Sequence, residues 1–272
     1  MGVPIAAHTR ESAARHVVQL AQRIRAARCA DQRGSAGVHR AADAVPRSDV
    51  HLCNAYTLAL AARDPELHRI LRSASLNLPD GQPVVWANRL LHRGTVLPST
   101  RVYGPDLLLD VFDLGRQTGL RHYLLGSTPQ VLDALHSALR RRFPNALITG
   151  ACSPPFRPLT TQEERKQRES IRSAEADIVW VGLGTPKQDR WAAELCGALP
   201  VVAVAVGAAF DFIAGTKPQA PRWMRRSGLE WTFRLGCEPR RLWRRYLFGN
   251  ALFVGGVVRQ ATGTARKNGG RT

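Results

Sequence analysis

Short, wholly apolar runs alternate with longer amphipathic or polar runs along most of this chain, and that alternation is what most limits its fold. ADIVWVGLG is apolar throughout and is followed by TPKQDRWAAELCGAL, which has helical spacing; VVAVAVGAAF is a second unbroken apolar run. Upstream, DVHLCNAYTLALAARDPEL reads as a strand, an Asn-bearing turn and a helix, and SASLNLPDGQPVVWANRLL repeats that rhythm around a Pro-Asp-Gly turn. GPDLLLDVFDLGRQTG is helical, RHYLLGS is a strand, and TPQVLDALHSALRRRFP is a helix opened by Thr128-Pro129. ALITGACSPPF is a strand running into a Pro-rich loop, and TTQEERKQRESIRSAEA is a polar helix. A strand that is apolar along its whole length is buried on both faces, which happens in parallel sheets covered by helices. The expected fold class is α/β: a mostly parallel, Rossmann-like sheet with helices on both faces, plus a C-terminal helical basic appendage.

The ends differ from this middle. Residues 1–47 read as a helix over 9–28, with Thr9 as its N-cap, and a flexible extension of small polar residues. Residues 48–217 are expected to form the α/β core. Residues 218–258 interleave Arg with Trp, Tyr and Phe, and 259–272 read as a disordered basic tail.

Net charge is +18, carried mostly by arginine, so the partner is anionic: a nucleic acid, an anionic membrane surface or a diphosphate. Five scattered cysteines give no zinc pattern and fit a reduced, cytoplasmic protein. The N-terminus has no apolar region of a secretory signal and no myristoylation pattern. No apolar run approaches the ~18 residues that a transmembrane helix needs.

Four constellations carry candidate chemistry. Asp80, in Leu78-Pro79-Asp80-Gly81 at a strand end, stands where ligands bind in open α/β sheets and can act as a general base; the same tripeptide is also an ordinary turn. Gly182-Leu183-Gly184-Thr185-Pro186-Lys187-Gln188 joins a strand to a helix, where free N–H groups receive an anion, although a plain tight turn has the same form. Asp211 follows a buried strand and either accepts from sugar hydroxyls or caps a helix. The arginines from Arg222 to Arg245, with Trp223, Trp231, Trp243, Tyr246 and Phe248 among them, suit an anionic membrane interface or stacked bases. No Asp-x-Asp pair is present to hold a metal on a diphosphate, so arginines are the available electrophiles.

In order, NAYTLALAARDPEL, LPDGQPVVWANRLL, RVYGPDLLLDVFDLG, HYLLGSTPQVLDAL, ADIVWVGLGTPKQDRWAAEL and VGAAFDFIAGTKPQAPRWMRRSGLEWTFRLGCEPRRLWRRY resemble the WecG/TagA/CpsF glycosyltransferases, over roughly residues 49–248. The resemblance implies inverting, metal-independent transfer from a UDP-sugar, with N-acetylmannosamine or a related hexose as the sugar, to a polyprenyl-diphosphate-linked saccharide, with no cofactor. It places Asp80 on the catalytic base and Asn54 on an acceptor-side motif. Gly182, Gly184, Gln188 and Asp211 fall on the nucleotide-sugar side, with Gly126 and Lys187 beside them. The C-terminal segment matches an appendage that closes over the site and docks on the inner face of the membrane, and one or more of Arg222, Arg225 and Arg226 are expected to offset charge on the departing UDP. The chain departs from the family pattern at Leu52, where Thr is common, at Gly126-Ser127, where two glycines are usual, and in its longer residues 1–47. A homo-oligomer is left open. A nicotinamide-dependent oxidoreductase would need a third glycine and an acid ending the next strand, and a nucleic-acid-binding protein has no use for the LPDG and GLGTPKQ turns.

Overall fold

The computed structural model describes residues 1–33 and 47–269. Six strands form one all-parallel sheet in the order β2-β1-β6-β5-β3-β4. They are β1 (Asp49–Cys53), β2 (Leu76–Pro79), β3 (Arg121–Gly126), β4 (Leu147–Cys152), β5 (Ile178–Gly182) and β6 (Val202–Ala205). The four inner strands are buried along nearly their whole length, as their unbroken apolar sequences predict. β4, at an edge, alternates exposed and half-buried residues.

Helices cover both faces. On one face α1 (Arg10–Arg33) packs on α5 (Gly104–Arg116), with α6 (Pro129–Arg142) and the short α9 (Ala209–Ile213) beside them. On the other lie α2 (Ala55–Ala61), α3 (Pro65–Ser73), α7 (Thr161–Ser173) and α8 (Lys187–Ala198). β1 therefore sends its C-terminal connection to one face through α2, while β6 sends its own to the opposite face through α9. Adjacent strands whose connections part in this way open a crevice at their carboxyl ends. α4 (Gln82–Leu91) follows β2, and α10 (Arg222–Arg226), α11 (Glu230–Cys237) and α12 (Pro239–Gly269) complete the chain.

Two of the sequence expectations change at the ends. Thr9 does cap α1, its Oγ1 accepting from Ser12 N at 3.2 Å. The helix runs on to Arg33, past the expected end at 28, and it belongs to the core: Ala13, Ala14, Val17, Ala21 and Ile24 are buried in the same cluster as Val202, Val204 and Phe112. Arg25 and Arg28 reach Asp177 at 3.6 and 2.5 Å, pinning α1 across the amino ends of the strands. An amphipathic stripe shows that a helix packs but not on what, so the sequence alone does not join it to the core. At the other end, α12 continues as one helix through Gly269, where a disordered tail is expected from 259. Phe253 and Val257 of α12 are buried with Leu58 and Leu67 of the body. The loose segment expected after residue 28 lies largely outside the described residues.

Candidate active site

The crevice at the carboxyl ends of β1, β2 and β6 is roofed by α11 and α12. It holds a cavity of about 490 Å³ lined by Leu52, Asn54, Asp80, Gly184, Gln188, Gly207, Lys217, Arg234, Arg241 and Arg245, among others. A smaller one of about 100 Å³, lined among others by Tyr56, Gln82, Arg101, Trp231 and Tyr246, lies alongside. Asn54, Asp80, Tyr103, Arg234 and Arg245 border both cavities.

Asp80 directly follows β2, and its N–H bonds Cys53 O at 2.9 Å, so the β1 and β2 ends hold it in place. Gly81 after it takes φ +141, a conformation that glycine adopts without strain. The carboxylate makes no ion pair with any described residue, although Arg101, Arg234 and Arg245 all act on it electrostatically. Burial raises its pKa to about 6, with the three guanidiniums pulling down and Glu230 pushing up.

Asn54 caps α2: its Oδ1 accepts from Thr57 N at 3.1 Å. That contact engages the carbonyl oxygen of the side chain in the cap and leaves the amide nitrogen for a ligand. Gln188 is buried in the first turn of α8. Its Oε1 accepts from Gly184 N at 3.0 Å, which braces the loop carrying the helix N-terminus. Next to it, Asp189 holds the wholly buried His51 of β1 at 2.9 Å, and Asp49 takes the other ring nitrogen at 3.0 Å. Burial disfavours the imidazolium, but the hydrogen bonds to Asp189 and Asp49 prevail and push its pKa up to about 9. This buried chain fixes β1 to α8 beneath the crevice, and it escaped the sequence reading because its members lie in unrelated segments.

The remaining sequence-predicted residues divide. Gly184 lines the large cavity. Gly126 and Gly182 do not: a Cβ on Gly126 would lie 2.6 Å from the Gly182 backbone, and one on Gly182 would lie 2.8 Å from the Phe210 ring. These two glycines serve close packing at the ends of β3 and β5. Lys187 is exposed and lies off the cavity wall. Asp211 stands beside the cleft, 3.9 Å from Lys217 Nζ, and Lys217 also pairs with Glu238 at 3.1 Å.

Arg222 and Arg226 are exposed, and neither they nor Arg225 line either cavity. The guanidiniums that do are Arg101, Arg234, Arg241 and Arg245. Glu238, Arg241, Leu242 and Arg245 recur at i, i+3, i+4 and i+7, so one face of α12 meets the cleft. That spacing was legible in the sequence and separates Arg241 and Arg245 from Arg240 and Arg244. Arg101 and Arg225 lie over Tyr103, at 4.4 and 5.4 Å from the ring centre; Arg234 lies over Phe212 at 4.8 Å, and Arg245 over Tyr56 at 4.3 Å. Rings in this position orient a guanidinium without neutralising it. Tyr103 Oη and Arg245 Nε, both on the cavity walls, are buried yet make no aligned hydrogen bond within the described residues. Such buried donors suit an oxygen-rich anion.

Outside the cleft, Trp223, Trp243, Leu247 and Phe248 are exposed on the appendage, among the exposed Arg222, Arg226, Arg240 and Arg244. No helix among the described residues is long and apolar enough to cross a membrane, and no three His, Cys, Asp or Glu side chains among them cluster in a way that could hold a metal ion. The acidic pairs spaced two apart, Asp64/Glu66 and Glu175/Asp177, face Arg190 and Arg121 instead.

Known proteins are related to this chain in sequence. A protein of Bacillus spizizenii strain W23, named N-acetylglucosaminyldiphosphoundecaprenol N-acetyl-beta-D-mannosaminyltransferase, is 32% identical over 188 residues, 69% of this chain and 70% of that protein. A protein of the same name from Bacillus subtilis strain 168 is 29% identical over 188 residues, with the same shares covered. The profile of the Glycosyl transferase WecG/TagA/CpsF family matches residues 22–267. The chain, with its parallel sheet and helical C-terminal appendage, belongs to the WecG/TagA/CpsF family of glycosyltransferases.

Proposed function

We propose that this protein is an inverting hexosyltransferase that moves a sugar, N-acetylmannosamine or a related hexose, from a UDP-sugar to a polyprenyl-diphosphate-linked saccharide during cell-surface polysaccharide biosynthesis. The observation that carries this reading is the position of Asp80: an unpaired carboxylate on the border of two cavities, with arginines around it. The large cavity, with the α8 N-terminus, Gln188, Lys217, Arg241 and Arg245, suits the nucleotide diphosphate. The small one, walled by Tyr56, Trp231 and Tyr246, suits the acceptor sugar. The names of the two relatives support the acceptor class.

In the reaction, the acceptor hydroxyl oxygen attacks the anomeric carbon on the face away from the diphosphate. The bond from that carbon to the diphosphate oxygen breaks, and its electron pair leaves with UDP. The hydroxyl proton passes to Asp80. Arg234, Arg241, Arg245 and Lys217 offset the charge that grows on the departing oxygen, a task that needs neither a metal nor a cofactor. The exposed Trp, Leu, Phe and Arg side chains of the appendage suit the anionic inner face of the membrane, where a polyprenyl diphosphate lies. An oxidoreductase is disfavoured because β6, the strand after the glycine turn, ends at Ala205 without an acid. A nucleic-acid-binding role is disfavoured because four of the arginines turn into the cleft.

The test is UDP release over a panel of UDP-sugars with a lipid-diphosphate acceptor, with and without EDTA. Acceptor-dependent release that persists in EDTA is expected. No release with any UDP-sugar refutes the reading, and loss in EDTA that is restored by manganese refutes its metal-free form.

A further inference from the structure

Between Asp211 and Glu238 the chain carries a single acidic residue, Glu230, in a segment otherwise rich in arginine. It opens α11 and turns into the cleft. Its Oε2 lies 2.5 Å from Arg101 Nη2, with the two side chains 12% and 13% exposed. Its Oε1 lies 3.2 Å from Nε of Arg234, one turn further along α11. Glu230 thus bridges a guanidinium of the body to one of the appendage.

The groups facing Asp80 are Cys53 from β1, Arg101 and Tyr103 from the segment before α5, Glu230 and Arg234 from α11, and Arg245 from α12. A carboxylate among three guanidiniums would ordinarily take one as an ion-pair partner, and its proton affinity would fall by about 10- to 1,000-fold. Asp80 has none. Two of its three neighbouring cations are held instead by Glu230.

We propose that Glu230 is a positioning residue: by engaging Arg101 and Arg234 together it withholds both from Asp80 and leaves that carboxylate free to take the acceptor's proton. This rests on the reading of Asp80 as the base. The bridge has a second effect, because the contact with Arg101 ties α11 to the body. Asp80 then meets its substrates unpaired, and the guanidiniums stay aimed at the diphosphate.

The experiment measures kcat and kcat/KM against pH in the full-length protein for wild type, Glu230→Gln, Glu230→Asp and Arg101→Met, with UDP affinity by calorimetry. In Glu230→Gln the freed arginines pair with Asp80. The acidic limb of kcat/KM then moves down by about one pH unit or more, and the plateau falls at least ~10-fold because a weaker base transfers the proton less readily. UDP affinity falls by no more than about 10-fold, since Arg234 turns toward Asp80 while Arg241, Arg245 and Lys217 still line the large cavity. Glu230→Asp keeps the charge and returns the limb toward its wild-type position. Arg101→Met removes one competing cation and moves the limb up. A purely structural role would lower rates in all the variants without moving the limb in opposite directions. An unmoved limb in folded Glu230→Gln overturns the proposal. If that variant does not fold, Arg101→Met decides: an upward move supports the proposal and an unmoved limb overturns it. An acidic limb that survives in Asp80→Asn with full activity sinks the base assignment itself, a separate result.

Discussion

Replacing Asp80 by Asn should act on activity and on stability in opposite directions, and the size of each effect follows from the site. Asn is nearly the same shape but cannot accept the proton, so turnover should fall by ~10²–10⁴, the usual contribution of a positioned base. The stability effect comes from the raised pKa. Burial holds the carboxyl at about 6, against an ordinary value of 3.8. The folded protein therefore binds this proton more tightly than the unfolded chain, and stability falls as pH rises from near 4 to about 6. Each tenfold change in proton affinity corresponds to ~1.4 kcal/mol, so the ionised side chain costs the folded state up to about 3 kcal/mol above pH 6. Asn carries no charge and removes that cost. Urea denaturation at pH 8 should show the variant more stable by about 1–3 kcal/mol, with the gain fading as the pH falls toward 4. In the wild type, kcat/KM should drop tenfold per pH unit below about 6. A variant that keeps its turnover within tenfold, or one that is less stable than wild type at pH 8, would refute the reasoning.

Gln188→Ala should weaken UDP binding by roughly 10-fold, because the Gly184 N–H and the loop before α8 lose their brace at a cost of about 1–3 kcal/mol; calorimetry with UDP would measure this, and unchanged affinity would move the nucleotide elsewhere. Replacing the exposed Arg222, Arg226, Arg240 and Arg244 by Gln should lower affinity for anionic vesicles by ~10²–10³ at about 1 kcal/mol per residue, while turnover on a water-soluble acceptor stays near wild type; co-sedimentation and UDP release would separate the two. Ile24→Ala should destabilise the protein by about 2–5 kcal/mol, as expected of a side chain 1% exposed in the main core; a denaturation midpoint unchanged from wild type would show that α1 does not belong to that core.

The inner strands were legible because a residue buried on both faces of a sheet leaves an unbroken apolar run, and Val179, Trp180, Val204 and Ala205 left one. Asp80 was legible because a strand end constrains where a side chain can go. The glycines were read less well. A glycine that lets a ligand approach and one that lets two strand ends touch look alike in sequence, and Gly126 and Gly182 are of the second kind. Arginine register was lost for a related reason. Charge marks a segment, but only the helical period marks a face, and that period selects Arg241 and Arg245. Arg101, alone in a loop, carried no local signal and became visible only through Glu230, some 130 positions later in the chain.

The long last helix has a mechanical consequence. Its first turns carry Arg241 and Arg245 into the cleft, and its middle carries Phe253 and Val257 into the core of the body. It is a beam clamped partway along its length. Lifting its near end would pull those anchors out, at ~1.5–3 kcal/mol for each side chain. α10 and α11 have no buried residue to withdraw, and Gly215 and Gly228, both with positive φ, bracket α10 and the segment leading to it. α11 is tied to the body through the Glu230–Arg101 ion pair, whereas α12 is anchored through apolar side chains in the core.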